Sequence, residues 1–138
     1  MAQVAARAAA FFEEDASEDR KQVLRDNLAK LSAGASLMQT VLAQTPKRFF
    51  DARFDPAPLF AEAVSRPQVF MHIMGTLAPT WDVSVGSGSL RAPIFIAHGR
   101  YDYVVPHVLW QGIAEKLPTA TLQVFEKSGR KTQEETNE

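Results

Sequence analysis

Apolar positions change their spacing part-way along the chain. In the first third they recur at helical intervals, and after Arg91 they come in short unbroken runs. Ala2 to Glu14 is rich in alanine, the best helix former, and holds no Gly or Pro, which predicts a first helix. Ser17, with Glu18 and Asp19 behind it, has the form of an N-cap with acids in the first turn. Leu24, Leu28 and Leu31 then fall at i, i+4 and i+7, a stripe predicted to face inward with Arg20, Lys21, Arg25 and Lys30 left to solvent. Gly34 is the predicted stop of that helix. Leu37, Met38, Val41 and Leu42 form a shorter apolar face that ends before Pro46.

From Pro46 to Pro58 three prolines and the aromatics Phe49, Phe50 and Phe54 predict irregular chain. Short helices are expected over Leu59–Val64 and, after Pro67, over Gln68–Met74. The stretch from Leu77 to Arg91 reads as a linker, with Pro79 and the low-complexity piece Gly86-Ser87-Gly88-Ser89. Ile94 to Ala97 is then a continuous apolar run, as in a buried parallel strand. Pro106 suits a helix's first turn, and Val108, Leu109, Ile113 and Leu117 give that helix its stripe before Pro118 stops it. Leu122 to Phe125 is a second strand. Strand, helix and strand make a βαβ unit with a right-handed crossover. The fold class is therefore α/β: a helical region with linker over residues 1–90, then a βαβ unit of a parallel sheet over 91–138. Two strands leave two open edges, and one crossover helix covers one face. The rest must meet the helical half, a second copy of the chain in a homodimer, or a missing N-terminal half.

Composition narrows the function classes. The chain is 138 residues long and 46% hydrophobic, which suits a folded domain with a modest core. A net charge of −1 argues against a nucleic-acid or anionic-membrane surface. With no cysteine there is no disulfide, thiol nucleophile or thiolate metal site. No run approaches the roughly 18 apolar residues of a membrane span, and the N-terminus lacks the hydrophobic core of a signal peptide. A soluble cytoplasmic protein is expected. His72, His98 and His107 are the only imidazoles, and no carboxylate accompanies them at ligand spacing, so no metal is expected. The Gly-Ser piece lacks the Lys and the strand-to-helix setting of a phosphate loop. The helices either side of Gly34 superficially resemble a helix-turn-helix, but their few cations are balanced by Asp26 and the preceding acids.

The turn Gly99-Arg100-Tyr101-Asp102-Tyr103-Val104-Val105-Pro106, and Phe125-Glu126-Lys127-Ser128-Gly129 behind it, resemble the acid and base loops at the C-terminal end of an α/β-hydrolase. Arg53-Phe54-Asp55-Pro56 followed by Leu59 resembles a cap segment of the proline-iminopeptidase-like branch, and Trp110 and the pair Gln133, Glu134 also match it. The resemblance covers most of the chain. It implies a partial α/β-hydrolase fold, cap plus last core strands. The parent activity would be Ser-His-Asp hydrolysis of a small-molecule or peptide substrate, an amide or ester with a small apolar acyl side or an N-terminal Pro, with no cofactor. Asp102 takes the position of the triad acid, which orients and charge-stabilises the imidazole. Some of Phe11, Phe12, Phe49, Phe50, Phe54 and Phe60 would then line an apolar pocket under the cap, besides forming the core.

The departures from that pattern are as informative. There is no Gly-x-Ser-x-Gly nucleophile elbow and no counterpart of the N-terminal strands or the oxyanion-hole loop. Arg130 stands where the triad His belongs, and Lys131-Thr132 also depart from the pattern. A guanidinium stays protonated and cannot serve as a base, although it can pair with Asp102. His98 lies at a strand end on the wrong loop to replace it. Both ends look cut, and the chain alone is expected to be inactive. The alternative is a non-catalytic interaction module that dimerises or complements a separate hydrolase half.

Overall fold

The computed structural model describes residues 2–64, 66–80, 91–114, 116, 117 and 119–130. Among the described residues four α-helices precede the sheet: α1 (Ala2–Asp15), α2 (Glu18–Ala29), α3 (Leu37–Ala43) and α4 (Pro67–His72). The parallel pair β1 (Ile94–Gly99) and β2 (Ala120–Phe125) brackets α5 (Val108–Ala114). The architecture is mixed α/β, compatible with part of an α/β fold. The Gly-Ser piece, Pro118 and the tail from Lys131 lie outside the described residues.

Local chemistry accounts for the helix starts. The Ser17 side chain accepts from the Arg20 amide and caps α2. Ser36 and Gln39 form a reciprocal capping box on α3. The end of α2 departs from expectation: it stops at Ala29 with Lys30 as its cap, ahead of Gly34. Leu28 is correspondingly exposed, and only Leu24 of the stripe is buried. In place of a helix over Leu59–Val64 there is one 3-10 turn, Ala57–Phe60, with Pro56 as its N-cap and Pro58 in its first turn. A second 3-10 turn, Thr45–Lys47, interrupts the expected irregular stretch. The Gln68–Met74 expectation is met by α4, which continues as a π turn over Ile73–Leu77 into the first part of the expected linker.

The core is small and aromatic. Phe11, Phe12, Ala16, Leu24 and Tyr103 form it, with Tyr101 and Val108 packed against it. The first helix thus sits directly on the turn that follows β1. Phe12 meets Tyr103 edge-on at 5.1 Å, and Phe11 meets it at 5.8 Å. Phe49 is also buried, whereas Phe50 and Phe54 stay partly exposed.

In the sheet, Phe95 pairs with Thr121 and Ala97 with Gln123, and all four are exposed. Alternation places Ile94, Ile96 and His98 on the opposite face, and α5 packs against β2.

The largest correction concerns Arg20. Expected in solvent, it is 7% exposed. Its guanidinium donates to the Pro46 carbonyl at 2.7 Å, to the Phe49 carbonyl at 2.9 Å and to the Phe50 carbonyl. It also lies over the Tyr101 ring at 4.7 Å. Its place one helical turn before Leu24 puts both on the same inward face.

Candidate functional site

The turn after β1 is built by three segments that meet through backbone hydrogen bonds. The Arg100 amide donates to the Phe125 carbonyl and the Tyr101 amide to the Ser128 carbonyl, each at 2.9 Å. The Tyr103 amide donates to the Lys47 carbonyl at 3.0 Å, and the Arg130 amide to the Arg48 carbonyl at 2.6 Å. Approach is so close that glycine is required twice. A Cβ on Gly99 would collide with the Gly129 backbone, and one on Gly129 with the Arg48 carbonyl and the Phe49 Cα.

This packing buries Asp102 to 3% exposure. Its Oδ1 accepts from the amides of Val104 at 2.9 Å and Val105 at 3.0 Å. That is the Asx geometry a turn carboxylate adopts. Its Oδ2 accepts from Arg130 Nη1 at 3.3 Å. The structure therefore brings together Asp102 and Arg130, the two residues singled out from sequence, although Arg130 stays 41% exposed at its side chain.

His98 reaches the same carboxylate from the end of β1. Its Nε2 lies 4.0 Å from Asp102 Oδ2 and has no hydrogen-bond partner. Burial holds its pKa below the usual histidine value, against the opposing pull of Asp102. The imidazole is thus neutral near pH 7 and does not form an ion pair there.

Other groups around the turn escaped the sequence reading. Arg48 is partly buried beside the Asp102–Arg130 pair, with its Nε unpartnered and its Nη2 donating to Gln44 at 3.2 Å. Burial, and then the Arg130 charge, lower its pKa. Asp15 at the end of α1 accepts from Arg100 Nη1 at 2.9 Å and from the Tyr103 hydroxyl at 2.8 Å. The Arg100 hydrogen bonds hold the Asp15 carboxyl below its ordinary pKa, and burial pushes the Tyr103 phenol up. These partners are 85 and 88 residues apart, so no local pattern could have revealed them. His107 meets Phe11 edge-on at 5.4 Å, and His72 lies on exposed α4. Among the described residues no cluster of His, Asp and Glu could hold a metal ion. No helix among them is long and apolar enough to cross a membrane.

This strand, acid turn and parallel second strand can be set beside known proteins. The chain is 26% identical over 126 residues to the AB hydrolase superfamily protein YclE of Bacillus subtilis (strain 168). The alignment takes in 86% of this chain and 45% of that protein. An α/β-hydrolase relationship is thereby supported. The chain spans less than half the length of the relative it matches, and the likeness is to the superfamily, not to a branch of it. No family model matches the chain, and no solved structure matches it significantly.

Proposed function

We propose that this chain is the cap and acid-bearing C-terminal portion of a serine hydrolase of the α/β-hydrolase type, in its proline-iminopeptidase-like branch. In the parent reaction Asp102 would orient a histidine that activates a serine for attack on a peptide, amide or ester carbonyl. The observation that carries the reading is Asp102 itself, buried in the turn after β1 and facing the loop that follows β2.

The isolated chain is inert on this reading. Acyl transfer needs a nucleophile, a base and an oxyanion hole. Arg130 occupies the base position and cannot accept a proton at working pH. The purified chain, assayed with p-nitrophenyl acetate and L-proline p-nitroanilide, should give no turnover above its Asp102→Asn variant. Turnover that disappears in that variant would overturn the inert reading. Reading the source gene on both sides of this frame tests the parentage: an upstream Gly-x-Ser-x-Gly supports it, and unrelated flanking sequence removes it.

The second reading is an interaction module, and one observation favours it. Val69, Phe70, Met71, Ile73 and Leu77 on α4 and its π turn are all exposed, as is Phe95 on the open sheet face at 65%. Apolar surface of this extent is unusual on a free monomer. The module would pair with a second copy or complement a separate hydrolase half: a dimer in light scattering without turnover favours the first, and a monomer speaks against that pairing.

A further inference from the structure

We propose that Arg20 is a positioning residue for the acid and base loops: through the carbonyls of residues 46–50 it fixes where the loop after β2 stands against the turn that carries Asp102. This inference deepens the hydrolase reading and rests on it for its catalytic meaning.

Five consecutive carbonyls make the connection, and all five are used. Arg20 takes those of Pro46, Phe49 and Phe50. The two between them, on Lys47 and Arg48, receive the amides of Tyr103 from the acid turn and Arg130 from the base loop. The amides of the same segment are spent locally. Those of Lys47, Arg48 and Phe49 close the 3-10 turn onto Gln44 and Thr45. The Thr45 hydroxyl ties its start to the Leu42 carbonyl at 2.7 Å. With its donors used at home, the segment has only carbonyls to offer other elements, and one buried guanidinium from α2 holds three of them.

Contact between main chains carries any movement onward. A Cβ on Gly129 would strike the Arg48 carbonyl, and one on Gly99 the Gly129 carbonyl, so the three backbones lie against one another. Packing this close transmits displacement instead of absorbing it. A shift of residues 46–50 thus reaches the base loop, and through Gly129 it reaches Gly99, at the head of the Asp102 turn. In acyl transfer an acid orients its base only within hydrogen-bond reach. Misplacement by about 1 Å can cost on the order of a hundredfold in rate.

The test installs an imidazole in the base slot with Arg130→His and follows that ring's titration by NMR. The Asp102 carboxylate raises its midpoint, while Arg48, any charge on His98 and burial lower it. Asp102→Asn in this background sets the scale of the carboxylate's pull. Arg20→Lys should move the midpoint the same way, by about 0.5 pH unit or more, because the loop is no longer held in register. Leu117→Ala, at a buried position on the crossover, is the control for general loss of stability and should leave the midpoint in place. In the unsubstituted chain, native-state hydrogen exchange in low urea should release the Tyr103 and Arg130 amides in one step, although they lie on different loops. A midpoint unchanged by Arg20→Lys, or moved equally by Leu117→Ala, overturns the positioning role. So does independent opening of the two amides, which needs no variant to fold. Unrelated sequence flanking the source gene would remove the hydrolase reading and leave these three readouts as they are.

Discussion

Asp102 and Arg130 form an ion pair of unequal burial, with a carboxylate 5% exposed at its side chain and a guanidinium 41% exposed. The carboxylate is held mainly from the other side, by the amides of Val104 and Val105. Removing the acid strands those two donors and leaves half-buried Arg48 without its nearby negative charge. Asp102→Ala should therefore cost about 2–4 kcal/mol of stability. Asp102→Asn keeps an acceptor for the amides and should cost less. Urea unfolding of the two variants measures the difference, and equal losses would show that the Asx bonds contribute little.

Arg20 and its three carbonyl partners make a second site where one side chain organises a loop. Lysine keeps the charge but cannot fork to Pro46, Phe49 and Phe50 or lie flat on Tyr101. Arg20→Lys is expected to destabilise by about 2–3 kcal/mol. The loop it holds also supplies the Arg48 carbonyl that receives the Arg130 amide. Amide exchange at Arg130 should consequently quicken in this variant, and unchanged exchange would separate the loop from the acid turn.

How much of this was legible in the sequence depended on distance along the chain. The two strands, the Asx turn at Asp102 and the N-cap at Ser17 are written in contiguous residues, and as local structure they are found where the sequence puts them. Arg20 was misread because its charge outweighed its position, although the i, i+4 relation to Leu24 marks it as inward-facing. Asp15 carried no signal at all, since its partners Arg100 and Tyr103 lie in the βαβ half. The pairing of Asp102 with Arg130 was open to inference only because an acid-loop and base-loop resemblance placed both ends.

Close backbone contact between the β1 and β2 turns yields a sharper test. Alanine at Gly99 or Gly129 would drive Cβ into main-chain atoms that cannot swing aside as a side chain does. Each substitution should cost about 3 kcal/mol or more, and on marginal total stability it would leave little folded chain. Gly34→Ala serves as the comparison, because its Cβ meets nothing within 4 Å. Circular dichroism melts of the three variants should rank Gly34→Ala closest to the parent chain.

Acid response should fall in two separate windows. His98 and His107 both have pKa values lowered from 6.5, chiefly by burial. The unfolded chain therefore binds more protons than the folded one below about 6.5. Stability is then greatest above that pH and falls as pH drops toward the depressed folded values. Asp15 is lowered from 3.8 by its Arg100 hydrogen bonds, so its contribution is complete above 3.8 and is lost only below it. Asp102 and Arg130 face His98, while Arg100, His98 itself, Asp15 and Glu126 act on His107, so the two imidazoles share the upper window and are coupled within it. His98→Gln should shrink the upper window to the part His107 supplies, and Asp15→Asn should shrink the lower one while leaving the upper at least as deep, because the Asp15 charge opposes the lowering at His107. Urea midpoints measured from pH 7.5 to 3 check both. An upper window that persists undiminished in the double variant His98→Gln, His107→Gln would show that other groups set it.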